Sequence, residues 1–228
     1  MDSLISMDIP SIHQTEFPGV FTDGTRFYTL NSVPGNTVYG EKLVNYEGEE
    51  YREWSVTRSK LAAYIYNKGQ QLPLESDSSI LYLGAANGTT ASHIADIAFQ
   101  GTVYCVEFSP RSFRDLVILC EKRPNMIPIL ANAFHPSKFA FAIDAVSVIY
   151  QDISQKGQWD IFSKNMNAFS VHRGMLVVKS RSENVVQEPR EIYEMTNKQL
   201  ISEGFRVTET VLLDPMERDH AMMVIERI

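Results

Sequence analysis

Glycines at 84 and 88, acids at 107 and 152 and a lysine at 179 are the residues whose types and spacing could carry chemistry. Ile80-Leu-Tyr-Leu-Gly84-Ala-Ala-Asn-Gly88-Thr-Thr90 reads as an apolar strand entering a glycine-rich turn, followed by hydroxyl residues suited to a helix N-terminus. Lacking a Cβ, Gly84 and Gly88 let the backbone bend sharply and approach a ligand. Glu107 ends the next apolar run, nineteen residues beyond Gly88, where a carboxylate can accept both hydroxyls of an adenosine ribose. The loop has neither G-x-G-x-x-G nor a P-loop lysine, which weakens dinucleotide and ATP readings and favours S-adenosylmethionine, a ligand without phosphates. Asp152 and Lys179 end later apolar runs, and an acid and a lysine in one crevice can orient and activate a hydroxyl. Each feature also has a plain reading: a two-glycine βα turn, a solvated strand-end acid, a surface lysine. His220 is either part of this set or a turn residue. His13, His93, His135 and His172 lack metal-ligand spacing and read as structural, so no metal is expected.

These groups share one crevice only if strands and helices alternate around a parallel sheet, because open α/β sheets bind ligands outside the carboxyl ends of their strands. The pattern predicts strands over 80–83, 102–108, 126–130, 144–150 and 174–179, and two last strands over 205–212 and 221–225. Ser109 and Pro110 open a helix whose apolar stripe is Phe113, Leu116, Val117 and Cys120. Further helices are predicted over 158–169 and 189–202, the second stopped by Gly204. Pro128 suggests that the third strand lies near an edge or that the proline stands near its start. The first fifty residues are rich in Gly, Pro and aromatics, with extended pieces over 19–22, 26–30 and 37–39 between turns at Asp23-Gly24 and Pro34-Gly35. They read as a small antiparallel unit, with a helix from Arg58 to a stop at Gly69 after it.

With 228 residues, 44% of them hydrophobic, the chain can bury one full core and a small appendage. Two cysteines are too few for a disulfide framework and fit a reducing, intracellular compartment. No apolar run approaches the ~20 residues of a membrane span, and Met1-Asp-Ser-Leu-Ile has no signal-like core, so a soluble protein without membrane contact is expected. A formal charge of −7 argues against gripping nucleic acid with the whole surface but leaves room for a local basic face.

Eight blocks in order resemble the fibrillarin family of box C/D RNA 2′-O-methyltransferases, particularly its archaeal members. They are the stretches beginning at Asn31, Tyr51, Arg58, Leu81, Val106, Tyr150, Val178 and Glu217, including Tyr51-Arg-Glu-Trp54, Val106-Glu-Phe-Ser109, Tyr150-Gln-Asp152-Ile-Ser-Gln155 and Glu217-Arg-Asp-His220. The resemblance implies an α/β, Rossmann-like S-adenosylmethionine-dependent methyltransferase fold with a seven-stranded, mostly parallel sheet over 55–228. It implies a small N-terminal β-rich domain over 1–54. It implies cofactor contacts at Thr89 and Thr90 near the methionine moiety, Glu107 on the ribose, Phe108 beside the adenine, Asn132 and Ala133 at the adenine edge, and Asp152, Ile153, Ser154 and Gln155 at the reactive end. The implied catalytic set is Lys60, Asp152, Lys179 and His220. Lys179 either takes the proton of a ribose hydroxyl as a free amine or, as an ammonium, stabilises charge on the oxygen.

The same resemblance implies ribose methylation of rRNA and tRNA, with a box C/D guide RNA selecting the nucleotide while a Nop-domain scaffold protein and a kink-turn-binding ribosomal-like protein hold that RNA. Only a local basic face is then needed, with Arg52, Arg58, Lys60, Lys179 and Arg181 as candidates. A scaffold that has lost catalysis and a methyltransferase for small molecules or proteins are the rival readings. The sequence departs from the family at Asn132, where Asp is usual, at Ser147, where an acid is usual, and at His172-Arg-Gly174, where paired glycines are usual. The arginine–glycine-rich segment of nucleolar members is absent, which points to a cytoplasmic setting.

Overall fold

A strand that is apolar at every position must be covered on both faces, so the 80–83 run demands a sheet with helices above and below it. The structure, a computed structural model, describes residues 11–228; Met1–Ile5 and the rest of the first ten residues of the expected 1–54 unit lie outside it. Strands β1 (His13–Gln14), β2 (Phe21–Thr22), β3 (Phe27–Leu30), β4 (Leu43–Tyr46) and β5 (Glu49–Trp54) form an antiparallel sheet in the order β1-β2-β3-β5-β4. Residues 37–39 are not a strand, because the Glu41 carboxylate gathers the N–H groups of Val38 and Tyr39 and holds a loop there. The β4–β5 hairpin, absent from the sequence expectations, turns at Glu47-Gly48, where both residues have positive φ (51° and 88°).

Helix α1 (Lys60–Tyr66) leads into the second sheet, built from β6 (Ile80–Leu83), β7 (Val103–Glu107), β8 (Met126–Leu130), β9 (Val148–Gln151), β10 (Arg173–Lys179), β11 (Phe205–Leu212) and β12 (His220–Arg227). Its order is β11-β12-β10-β9-β6-β7-β8, with β12 antiparallel to both neighbours and the other pairs parallel. Helices α2 (Thr89–Ile97), α3 (Pro110–Lys122), α4 (Gln158–Ala168), α5 (Ser180–Glu183) and α6 (Pro189–Ser202) complete it. Alternation sorts the strand side chains into two cores. Ile80 and Tyr82 pack with α1, α2 and α3, while Leu81 and Leu83 pack with α4 and α6. Strand β8 lies at the edge, as Pro128 requires. The fourth strand starts at Val148 rather than 144, because residues 140–142 form a short 3₁₀ turn and Ser147 only then reaches the Ser79 carbonyl.

Charge, not only apolar packing, joins the two sheets. Arg52 on β5 is fully buried, its guanidinium 2.8 Å from Glu41 and 2.9 Å from Asp96 on α2. Asp96 is also 2.6 Å from Arg123. Arg52 is therefore absent from any basic face, contrary to the sequence expectation: its side chain points inward between β5 and α2. Among the described residues no helix is long and apolar enough to cross a membrane, and no cluster of His, Cys, Asp and Glu could hold a metal ion.

Candidate functional site

The chain runs β6, β7, β8 to one side and returns through β9 on the other, so the sheet order reverses between β6 and β9. A crevice opens outside the carboxyl ends of such neighbours. A cavity of about 380 Å³ lies there, lined by Gly84 from β6, Glu107, Phe108, Asn132 and Ala133 from the β7–β8 side, Asp152, Ile153, Ser154 and Gln155 after β9, and Lys60 and Lys179. Gly84 has φ +84°, and a Cβ there would sit 2.7 Å from the Asp152 carbonyl oxygen. Two loops thus touch at a point only glycine permits. Backbone cannot yield as a side chain can, so Gly84→Ala is expected to cost about 1–3 kcal/mol. The check is thermal unfolding, in which the midpoint falls by roughly 2–4 °C for each kcal/mol.

The Glu107 carboxylate is fixed before any ligand arrives: Oε2 accepts from Ala86 N–H at 2.8 Å and Oε1 from Ser109 N–H at 2.6 Å. Each oxygen keeps a lone pair for a further donor. The Phe108 ring beside it is 69% exposed and free to cover a flat ligand. Asn132 Oδ1 accepts from Phe134 N–H at 2.9 Å, which leaves its NH₂ as a donor at the cavity.

At the other end the charges converge. Lys60 opens α1 directly after Ser59, whose hydroxyl caps the helix by accepting from Ala62 N–H. Lys179 ends β10, and its Nζ lies 2.7 Å from Asp152 Oδ1 and donates to Ser154 Oγ at 2.7 Å. The Asp152 contact is a charge contact off the hydrogen-bond direction. Asp152 Oδ2 faces Lys60 Nζ at 3.3 Å, so one carboxylate serves two ammonium groups. His220 pairs directly with Lys179 across the antiparallel β10–β12 register. Its Nδ1–H donates to the Arg218 carbonyl at 2.7 Å, leaving Nε2 as the acceptor. Burial holds the His220 pKa below its ordinary value, and the nearby Lys60 and Lys179 charges act the same way. Beneath Asp152, Tyr82 and Tyr150 pack ring to ring at 4.7 Å, and burial pushes both phenols up and keeps them neutral.

Four expected residues do not line the cavity: Gly88, Thr89, Thr90 and His220. A Cβ on Gly88 would run into the Leu119 side chain of α3, and its φ of +87° also favours glycine, so this position is demanded by helix packing as well. Thr90 is buried with its hydroxyl donating to Ser59 Oγ at 3.0 Å, tying the start of α2 to the start of α1. Thr89 opens α2 just behind the loop. Sequence reasoning missed Glu217, whose Oε1 lies 3.8 Å from Lys60 Nζ. No signal in the local sequence marks it, because it reaches the site only through the β10–β12 pairing that sets His220 opposite Lys179.

Comparison with known proteins decides the family: residues 12–227 match the family model described as fibrillarin. The chain belongs to the fibrillarin family. It is 48% identical over 219 residues to the fibrillarin-like rRNA/tRNA 2′-O-methyltransferase of Methanopyrus kandleri, covering 92% of this chain and 94% of that one. Its fold is similar to that of Aeropyrum pernix fibrillarin, solved with natively bound S-adenosyl-L-methionine, at a TM-score of 0.87 and 40% identity over 94% of this chain and 97% of that one. It is also similar to fibrillarin in a fibrillarin/Nop5p complex, with a TM-score of 0.85, 38% identity and coverage of 92% and 98%. Fibrillarin membership makes the seven-stranded sheet a methyltransferase core and the five-stranded sheet its N-terminal partner.

Proposed function

We propose that this fibrillarin transfers the methyl group of S-adenosylmethionine to ribose 2′-hydroxyls of rRNA and tRNA, as the catalytic subunit of a ribonucleoprotein that contains a Nop-domain protein. The observation carrying this reading is the single cavity with an adenosine end at Glu107, Phe108 and Asn132 and a charged end at Lys60, Asp152 and Lys179. The cavity fits the cofactor: about 380 Å³ is within the range of small-molecule pockets, and Glu107 is a fixed acceptor for two ribose hydroxyls. When bound, the cofactor supplies a methyl group on a positively charged sulfur.

The chain's own residues then have separable tasks. Glu107 and Asn132 orient the nucleoside, and residues 152–155 close the cavity over its reactive end. Lys179, pinned by Asp152 and Ser154, takes the proton of the attacking hydroxyl or stabilises negative charge on its oxygen. Lys60 and His220 hold the ribose and its phosphate. A box C/D guide RNA chooses the nucleotide and a kink-turn-binding protein completes the assembly, which accounts for an acidic catalytic subunit.

Incubating the chain with labelled cofactor, guide RNA, target RNA and the two partner proteins is expected to place 2′-O-methyl groups only at guide-specified nucleotides. Transfer to protein or small molecules, or transfer independent of the guide, overturns the proposal. Within it, Glu107→Ala is expected to weaken cofactor binding by roughly 10- to 100-fold, the worth of hydrogen bonds to a charged acceptor. Isothermal titration checks this, and unchanged affinity removes Glu107 from the ribose.

A further inference from the structure

Outside the four residues of the catalytic set, one charged side chain touches two of them. Glu217 lies in the connection before β12, with Oε1 3.8 Å from Lys60 Nζ and Oε2 4.0 Å from His220 Nδ1. Its backbone is held, since Glu217 N–H donates to the Leu213 carbonyl at 2.9 Å. The connection is pinned again at Asp219, whose carbonyl accepts from both the N–H and the hydroxyl of Ser180 and whose carboxylate pairs with Arg181 at 3.0 Å. Ser180 directly follows Lys179. The carboxylate of Glu217 is therefore carried on a short loop fastened to the same strand end as the catalytic lysine.

We propose that Glu217 is a positioning residue for methyl transfer, holding Lys60 in place and acting on His220 by its charge alone, so that Asp152 remains available to Lys179. The charge geometry requires a second anion. Asp152 alone would be divided between two ammonium groups that repel each other, at 2.7 Å and 3.3 Å. Glu217 gives Lys60 a second carboxylate at 3.8 Å and lies 4.0 Å from His220 at the same time. The ionisable groups around this cluster are Lys60 from α1, Tyr82 from β6, Tyr150 from β9, Asp152 after it, Lys179 from β10 and His220 from β12. Glu217 acts through Lys60 and His220, not on the substrate.

Replacing the carboxylate by an amide removes a negative neighbour that raises the His220 pKa, so His220 releases its proton more readily and the acid limb of a pH–rate profile moves to lower pH. The proposal rests on the methyl-transfer reading above, and a wild-type assembly that fails to methylate guide-specified riboses sinks that reading, not this role. In an active assembly, Glu217→Gln and Glu217→Asp are compared with wild type for kcat, KM for target RNA and cofactor affinity across pH. Glu217→Gln is expected to lose roughly tenfold in kcat, with a raised KM for target RNA and a cofactor affinity within about twofold of wild type. Its acid limb should move to lower pH. Glu217→Asp, which keeps the charge, should keep the wild-type limb and recover part of kcat. Wild-type kcat and limb in Glu217→Gln overturn the role, as does an equal loss of kcat and cofactor affinity in both variants. If Glu217→Gln does not fold, Glu217→Asp decides: lowered kcat on an unmoved limb supports the role, and wild-type kcat overturns it.

Discussion

Lys179→Ala is expected to lower single-turnover methyl transfer by roughly 10²–10⁴-fold, the range a positioned proton-transfer group supplies. The fold should survive, because the strand end does not depend on the lysine side chain. Gln158 is fully buried, and its side-chain amide accepts from Lys179 N–H at 2.8 Å and donates to the Lys179 carbonyl at 3.1 Å. Asp152 is not left alone either, since Lys60 remains at 3.3 Å. Cofactor affinity should therefore stay within about threefold, so the loss appears in kcat rather than binding. Lys179→Arg separates the two tasks open to the lysine. Arginine keeps the charge and cannot give up its proton. If the lysine acts as a base, the arginine variant is as slow as the alanine one; if it acts as a charge, part of the rate returns. Near-wild-type transfer in Lys179→Ala would move the proton acceptor elsewhere, with His220 Nε2 next in line.

The crevice was legible because it follows from rules that act locally. An apolar run, a glycine bend and an acid at the end of the next strand each depend on a few neighbouring residues, and the alternation of strands and helices then forces their ends together. The resemblance added Lys60, which helical spacing leaves as an ordinary surface lysine. What stayed hidden depends on register and direction between distant segments. Nothing near residue 217 announces that β12 pairs with β10 so that His220 lies opposite Lys179, and Glu217 enters the site only through that pairing. Gly88 carries a second demand of the same kind. A glycine before a helix fits close ligand approach and close helix packing equally well, and only the fold reveals that a Cβ there would meet the Leu119 side chain on α3. The β4–β5 hairpin was missed although Glu47-Gly48 carries a turn signal, because its strands are polar and lack a clean alternation.

Arg52→Ala is expected to cost about 3–5 kcal/mol, because breaking a buried ion pair leaves its partner uncompensated. In sequence Arg52 looks like its neighbour Arg58, and both stand in blocks that the family resemblance places near RNA. The structure gives them opposite fates. Arg52 is enclosed, with Glu41 at 2.8 Å, Asp96 at 2.9 Å and the Ser92 hydroxyl at 3.0 Å. Arg58 is exposed, over the Tyr39 ring at 5.9 Å. Removing Arg52 strands Glu41 in a buried site. Burial alone would raise its pKa, and the Tyr39 N–H and Arg52 now hold it below the usual range. At roughly 2–4 °C for each kcal/mol, the unfolding midpoint of the Arg52→Ala chain should fall by about 6–20 °C. Arg58→Ala should shift it little, since surface changes usually stay within about 0.5 kcal/mol. Calorimetry of the two variants in parallel checks the contrast, and equal midpoints would show that the ion cluster contributes nothing to the junction. The cluster reaches the site through α2: Asp96 and Ser92 lie on the helix whose Thr90 is bonded to Ser59, the cap before Lys60. The N-terminal sheet is thereby fastened, through a buried arginine together with the Thr29 and Ser32 hydroxyls, to the helix that follows the glycine loop and is tied to the start of α1 at Lys60.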